Sequence, residues 1–229
     1  MRALPIAAAG AVGWALPALM PHFPPLCHAL GVPRRLEPPR GTVAVTFDDG
    51  PHPEGTPAVL EVLDRAGARA TFFMVGEQVE RYPALAAEVA AAGHGIALHG
   101  YRHRNALRLT PSTFADDLDR GAEAVSGATG RPLDLYRPPY GIFSAAALAL
   151  VRRRSLAPLL WSRWGRDWAR RVTPQSIAAK ATQDLGPGDV VLLHDADFYS
   201  AQGSWRRTAA ALPAVLDAIV QRGLRPDAV

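Results

Sequence analysis

The sequence predicts an α/β protein with a distorted (β/α) barrel of six to seven parallel strands. Whether the barrel is closed or incomplete stays open. From Gly41 onward, short β-rich runs alternate regularly with stretches of helix-spaced apolar residues, and no low-complexity linker interrupts them. Each helical stretch is long enough to cross between parallel strands. Polar side chains also collect where the predicted strands end, which is where such folds carry their chemistry.

The strands and helices follow each other in strict order along the chain. The strands are predicted at 42–48, 69–75, 95–99, 134–137, 158–161 and 189–194, and residues 224–229 are a candidate for a last one. The helices are predicted at 57–67, 82–93, 111–127, 144–154, 174–186 and 204–222. Thr56, Thr110 and Thr173 each precede a proline, so we expect all three to cap helix N-termini.

The composition fits one globular unit, or at most two. The chain has 229 residues, of which 48% are hydrophobic and 20% are charged, so it can bury a sizeable core. A net charge of +4 suits an anionic surface but is too mild to predict a nucleic-acid partner. The single Cys27 excludes an internal disulfide and a multi-cysteine zinc site. Any metal must therefore be held by histidine and carboxylate.

Residues 1–40 differ from the rest of the chain. Residues 3–20 are uncharged and mostly apolar, and a proline-rich stretch follows them. This length is close to a membrane span, but its prolines and glycines weaken it as a helix. Three alternatives stay open: an uncleaved anchor, a removed signal, or a buried part of the core. We therefore predict a signal- or anchor-like segment with a tether at 1–40, a catalytic domain at 41–229, and a membrane-anchored or secreted protein on the extracytoplasmic side. The oligomeric state is left open.

Titratable side chains stand at several successive strand ends. Asp48 and Asp49 close the first predicted strand, His99 and His103 follow the third, and His194 closes the sixth. Each one alone is ordinary, because a buried histidine is usually satisfied by a hydrogen bond and an aspartate after a strand usually caps a helix. Their shared position indicates convergence on one site.

The histidine spacing suggests a metal. His99 and His103 are four residues apart, which we expect to put both imidazoles on one face of a helical turn. One carboxylate of Asp48 or Asp49 would complete a two-histidine, one-carboxylate set with open positions, as in catalytic zinc sites. Adjacent strand residues point to opposite faces, so the strand end must turn to aim both aspartates usefully. One aspartate then binds the metal, and the other acts as a base.

Five motifs carry a family resemblance. "TFDDG", "HGYRH", "RPPYG", "WGRDW" and "LLH" occur in this order within about residues 41–224. In this the chain resembles the polysaccharide deacetylases, which are carbohydrate esterase family four or the NodB homology domain. The resemblance implies Asp48 as general base oriented by Arg137, and His194 as general acid oriented by Asp167. The metal ligands that it implies are Asp49, His99 and His103.

The resemblance also implies groups that contact the substrate. The backbone amide of Tyr140, next to Pro139, would bind the oxyanion, and Trp168 with Leu193 would line the pocket for the acetyl methyl. Trp164 departs from the family pattern, since many members carry an acid there. Trp164 can stack on a sugar ring or simply cover the barrel mouth. The stretch after His194, with Asp197, Tyr199 and Trp205, is either a substrate loop or an ordinary surface loop.

These observations predict a metal-dependent N-deacetylase, a hydrolase of carbon–nitrogen bonds other than peptide bonds. Its substrate would be an N-acetylated amino sugar in a polysaccharide, oligosaccharide or glycolipid of peptidoglycan or chitin type. The cofactor would be one divalent metal, zinc before cobalt, nickel or manganese. The alternatives are hydrolysis of a small amide or cyclic imide on the same fold, and a carbohydrate-binding module without catalysis. The intact base, ligands and acid argue against the last.

Overall fold

The computed structural model, which describes residues 13–39 and 41–229, has one sheet of parallel strands. The strands are β1 Thr42–Asp48, β2 Thr71–Met74, β3 Gly95–Leu98, β4 Leu135–Tyr136, β5 Ala157–Pro158, β6 Arg163–Trp164, β7 Val190–His194 and β8 Arg225–Asp227. The helices are α1 Pro24–Ala29, α2 Gly55–Arg65, α3 Gly76–Arg81, α4 Pro83–Ala91, α5 Pro111–Thr129, α6 Ala145–Arg153, α7 Pro174–Ala181 and α8 Ser204–Val220. The α/β class and the parallel barrel-like sheet are as predicted.

Strand β1 lies inside the sheet between β2 and β7, and the strand order is β5-β4-β3-β2-β1-β7-β6. All seven residues of β1 are buried, which fits its continuous apolar run. β8 pairs with the first residues of β1, and β2 pairs with its last residues. In register, Asp48 lies opposite His194 of β7 and Phe73 of β2. The ends of β1 and β7 therefore bring an aspartate and a histidine side by side.

The predicted strand at 158–161 is wrong in its bounds, because only Pro158 lies in a strand, at the end of β5, and the next strand, β6, begins at Arg163. β5 pairs with β4, whereas β6 pairs with β7 at the other edge of the sheet. Residues 159–162 between them join the two edges, so the barrel is distorted at this point. The carbonyls of this crossing are paired with arginines instead of a strand. Arg137 donates to the carbonyls of Leu159 and Leu160, and Arg34 donates to that of Trp161.

Two of the three predicted threonine caps are present. Thr110 and Thr173 accept hydrogen bonds from the amides three residues later, each at 3.2 Å. The prediction for Thr56 is wrong, because α2 already begins at Gly55. The Thr56 hydroxyl instead accepts from the His52 amide at 2.7 Å and donates to the buried Asp195 carboxylate.

The described residues before β1 pack on the barrel. Met20, Cys27 and Val32 belong to the main hydrophobic core and are at most 3% exposed. Arg35 forms an ion pair with Asp189 at 2.6 Å. Residues 20–35 therefore contribute to the core, where a tether was predicted. Residues 3–12 of the predicted anchor lie outside the described residues.

No helix in residues 13–39 and 41–229 has both the length and the apolarity that a membrane crossing requires. The targeting role assigned to the start of the chain stays a prediction.

We predict that Met20→Ala lowers the free energy of unfolding by about 2 to 5 kcal/mol, because it removes a fully buried side chain. Leu19→Ala is the matched control, since the Leu19 side chain is 56% exposed and its loss should change stability by less than about 0.5 kcal/mol. Urea unfolding monitored by circular dichroism measures both. Equal, small effects would mean that this segment does not belong to the core.

Candidate active site

A cavity of about 270 Å³ opens at the carboxyl ends of β1, β3 and β7. Its wall combines the predicted ionisable groups with apolar side chains. The lining residues are Asp48, Asp49, His99, His103, Tyr140, Gly141, Trp161, Trp164, Trp168, Leu192, His194, Tyr199 and Ser200. The strand ends therefore converge on one site, as the sequence indicates.

The chain turns at the end of β1, as its two adjacent aspartates require. Asp49 has φ of +82°, a left-handed conformation that costs a non-glycine residue about 1 to 3 kcal/mol. The turn lets Asp48 and Asp49 line the same cavity although neighbours in a strand point apart. Burial raises the pKa of Asp49, but the imidazoles of His103 and His99 outweigh burial and hold that pKa well below its ordinary value. Asp49 is therefore ionised.

His99 and His103 do not share a helical turn, and that part of the prediction is wrong. They follow β3 in an irregular loop in which Gly100 has φ of +82°. The loop nevertheless brings the two imidazole rings close together, with their centroids 5.4 Å apart. The Nδ1 atom of His99 lies 2.8 Å from the carbonyl oxygen of Arg137. Because a carbonyl only accepts, Nδ1 carries the proton and Nε2 is left free to bind a metal.

Asp49, His99 and His103 fit a metal ion. One ligand atom from each lies within 4.8 Å of the others. Asp49 Oδ1 is 3.2 Å from His103 Nε2 and 3.5 Å from His99 Nε2. Although buried, Asp49 Oδ1 has no hydrogen-bond partner among the described residues. A buried, ionised oxygen without a hydrogen bond, next to a free imidazole nitrogen, is what a divalent cation would satisfy.

Arg137 is completely buried and contacts the cavity-lining Asp48 from outside the cavity. Its Nη1 donates to Asp48 Oδ1 at 2.7 Å and to the Thr46 hydroxyl at 2.9 Å. Its guanidinium also lies 3.9 Å from the centre of the Phe73 ring. The predicted contact with Asp48 is thus present, and it leaves Asp48 Oδ2 directed towards the histidines, 3.8 Å from His99 Nε2.

His194 has a matching support in the buried Asp167. Asp167 Oδ1 lies 2.9 Å from His194 Nδ1, and its Oδ2 accepts from the His194 amide at 2.7 Å and from the Thr208 hydroxyl at 2.8 Å. Burial lowers the pKa of His194. The charge and hydrogen bond of Asp167, and to a smaller extent the charges of Asp49 and Asp48, outweigh burial and raise that pKa to about 10. The predicted contact between Asp167 and His194 is present.

The predicted substrate-binding residues fall into two groups. Tyr140, Trp164 and Trp168 line the cavity, and Tyr140 has φ of +62°, which is strained for a tyrosine. Pro139 is buried beside the cavity and is not among its lining residues. The prediction for Leu193 is wrong. Side chains alternate along β7, so Leu192 shares the cavity face with His194, while Leu193 packs against Gly165 on the other face.

Three tryptophans form one apolar wall. Trp164 packs between Trp161 and Trp168, with ring centroids 5.9 and 5.1 Å away, and Arg166 lies over its ring at 5.0 Å. Trp168 meets the His194 ring edge-on at 5.6 Å. Trp161 was not predicted to line the site, although its place at the end of a predicted strand is a usable signal.

The loop after β7 contributes one of its three candidate residues. Tyr199 lines the cavity. Asp197 instead pairs with His52 at 3.2 Å, and Trp205 is buried against the same histidine. Asp197 also accepts from the Gly203 amide at 2.6 Å, so both ends of the loop are tied down.

Fold and site together define a class: a (β/α) barrel with paired aspartates and a two-histidine centre at its strand ends. The polysaccharide deacetylase family matches residues 35–158, and the chain belongs to this family. The match spans the first three motifs. The family depends on a metal, in agreement with the Asp-His-His group.

Relatives with known names extend the match. The chain is 32% identical over 202 residues to a chitooligosaccharide deacetylase of Azorhizobium caulinodans, covering 85% of this chain and 95% of that protein. It is 36% identical over 186 residues to a peptidoglycan-N-acetylglucosamine deacetylase of Bacillus cereus, covering 80% and 84%. The structure of a family 4 carbohydrate esterase from Streptomyces lividans in complex with acetate superposes with a TM-score of 0.73 at 30% identity, covering 82% and 92%. The chain is therefore a deacetylase-type hydrolase.

We predict that Arg137→Met lowers the free energy of unfolding by about 3 to 5 kcal/mol, because it leaves Asp48 as a buried charge without its partner. The double variant Arg137→Met with Asp48→Leu should cost less than the sum of the two single changes, since no lone charge remains. Urea unfolding of the native protein and the three variants completes the cycle. Strictly additive costs would contradict a coupled buried pair.

Proposed function

We propose that the protein removes acetyl groups from N-acetylated amino sugars in a glycan of the cell envelope, with zinc as its metal. The observation that carries the proposal is the pairing of Asp48 with His194 across β1 and β7. Both line one cavity with the candidate metal ligands, and each is held from behind by a buried ion-pair partner. A base and an acid are thus positioned around a single reaction centre.

Asp48 serves as the base. Arg137 occupies its Oδ1, so Oδ2 is available to take a proton from a water as that water adds to the acetyl carbon. A divalent ion held by Asp49, His99 and His103 would lower the pKa of a water and polarise the acetyl carbonyl. The left-handed backbone at Tyr140 supports a role for its amide as the donor to the developing oxyanion.

His194 serves as the acid. Its Nδ1 donates to Asp167, which leaves Nε2 to give a proton to the amide nitrogen as the carbon–nitrogen bond breaks. Protonation of the nitrogen matters because an amine anion is a very poor leaving group. The products are acetate and the free amino sugar. The raised pKa keeps His194 in the imidazolium form that this step requires.

The surroundings favour a sugar oligomer over a small amide. Leu192 and the tryptophan wall give the acetyl methyl an apolar contact. On the other side of Tyr140, a second cavity of about 570 Å³ shares His103 and Tyr140 with the first and has room for a neighbouring sugar. Its further lining residues are Arg104, Asn105, Arg108, Leu109 and Ile142.

The two named relatives act on chitooligosaccharide and on peptidoglycan N-acetylglucosamine, which supports a glycan substrate. The uncharged, mostly apolar sequence of residues 3–20 supports a position at the membrane or outside it, although Met20 at its end is buried in the core. Fractionation of cells that express the full chain tests this location. Recovery in the cytosolic fraction alone would contradict it.

The decisive experiment measures acetate release by protein that is stripped of metal and reloaded with zinc, cobalt, nickel or manganese in turn. The substrates are acetylated chito-oligosaccharides, peptidoglycan, single acetylated sugars, small amides and a cyclic imide. We expect zinc-dependent acetate release that is faster from oligomers than from single sugars. Turnover of the small amides or the imide alone would overturn the proposal in favour of a different hydrolase. Glycan binding without acetate would favour a binding module.

The two adjacent aspartates should separate by role. Asp49→Asn should lose the metal, whereas Asp48→Asn should retain it and lose turnover by a factor of roughly 100 to 10,000, as expected for a general base. Metal content after dialysis and kcat on one acetylated oligomer are the two measurements. An equal loss of metal in both variants, or in neither, would show that the roles are assigned incorrectly.

The acid depends on the charge of Asp167. Because the pKa of His194 is raised, its imidazolium persists as the pH rises until that pKa is reached. Asp167→Asn removes the charge, so the alkaline limb of the kcat/KM profile should move to lower pH with metal content unchanged. Thr208→Val is the control, because it removes a hydrogen bond to Asp167 and leaves the charge. An alkaline limb that stays in place in Asp167→Asn would refute the pair.

A further inference from the structure

The two candidate histidine ligands are supported in different ways. Metal-binding histidines usually donate their second ring N–H to a carboxylate or carbonyl, which fixes the ring. His99 does so through Arg137. The Nδ1 of His103 is buried and has no hydrogen-bond partner among the described residues. Something else must fix the His103 ring.

Tyr199 stacks on the His103 ring. Its ring lies parallel to the His103 imidazole, with centroids 4.2 Å apart and planes 9° apart. Tyr140 touches the same imidazole edge-on at 4.5 Å, but its side chain is 55% exposed. Of the two tyrosines beside the histidine, Tyr199 is the one whose ring lies parallel to the imidazole.

Tyr199 is itself held at its far end. Its hydroxyl accepts from Gln78 Nε2 and donates to Glu77 Oε1, both at 2.9 Å. Glu77 and Gln78 lie in the first turn of α3, and Gln78 is buried. Because its hydroxyl is held by two hydrogen bonds, the Tyr199 ring keeps a fixed position relative to the His103 imidazole.

The same turn of α3 holds the histidine loop. The amides of Gly76 and Glu77 donate to the carbonyls of Gly100 and Tyr101, each at 2.9 Å. These two carbonyls lie between His99 and His103. The first turn of α3 therefore fixes the backbone that carries His103 and, through Tyr199, the ring of His103.

We propose that Tyr199 is a positioning residue for the metal ligand His103, with ring stacking in place of the absent hydrogen bond. The proposal rests on the metal-dependent reaction proposed above. It assigns a function to the loop after β7, which carries Tyr199 and begins directly after the acid His194. Tyr199 acts on the metal site through its contact with His103.

The test measures the zinc dissociation constant of purified metal-free protein by competition with a chromophoric chelator. Tyr199→Leu removes the ring and should weaken zinc binding by about 10- to 100-fold, as loss of a ligand's support usually does. Tyr199→Phe keeps the ring and loses only the hydroxyl anchor, so its affinity should lie between those of the native protein and the leucine variant. The visible spectrum of the cobalt-loaded protein should change in the same order.

Phe198→Leu is the matched control. Phe198 is the preceding residue of the same loop. Its ring packs against His52 and meets the Tyr199 ring edge-on at 6.2 Å, and among the described residues it makes no ring contact with His99 or His103. Its substitution should leave zinc affinity within about twofold, which is less than 0.5 kcal/mol. Native affinity in Tyr199→Leu, or an equal loss in Phe198→Leu, would overturn the proposal. Since no substrate is used, the result is independent of whether the protein deacetylates any glycan tested.

Discussion

The buried guanidinium of Arg137 is the interaction on which the site depends. Its side chain holds Asp48, and its own carbonyl fixes the tautomer of His99. One residue thus sets the orientation of both a candidate base and a candidate metal ligand. Such a charge is costly to bury, and here an aspartate, a hydroxyl, two carbonyls and an aromatic face compensate it.

The remaining groups are arranged by the parallel sheet itself. Register places His194 beside Asp48, and the turn at Asp49 brings the second carboxylate into the same cavity. The support residues Arg137 and Asp167 lie behind the reacting groups and do not line the cavity. Oppositely charged partners thus hold the base and the acid, and both line one small cavity.

Much of this was accessible from the sequence, because strand ends in a parallel sheet must meet and the motifs name the residues found there. The predictions that failed concern single residues or short segments. Leu193 was placed one residue out of phase, and a shift of one residue in a strand moves a side chain to the opposite face. Thr56 resembles a helix cap by its neighbours, but its hydroxyl is taken by Asp195. The stack of Tyr199 on His103 joins distant parts of the chain, and no local pattern encodes it.

The crossing between β5 and β6 gives Arg137 a role in folding that is separate from its role at the candidate site. Where the chain moves from one sheet edge to the other, two carbonyls inside the barrel have Arg137 as their partner, and Arg34 serves the next one. Loss of Arg137 would leave those carbonyls unpaired in the core whether or not the protein catalyses anything. Selection for folding alone is therefore enough to retain this arginine. Its occurrence in a related chain is evidence for the barrel, whereas the cavity-facing aspartates and histidines are the residues that report on catalysis.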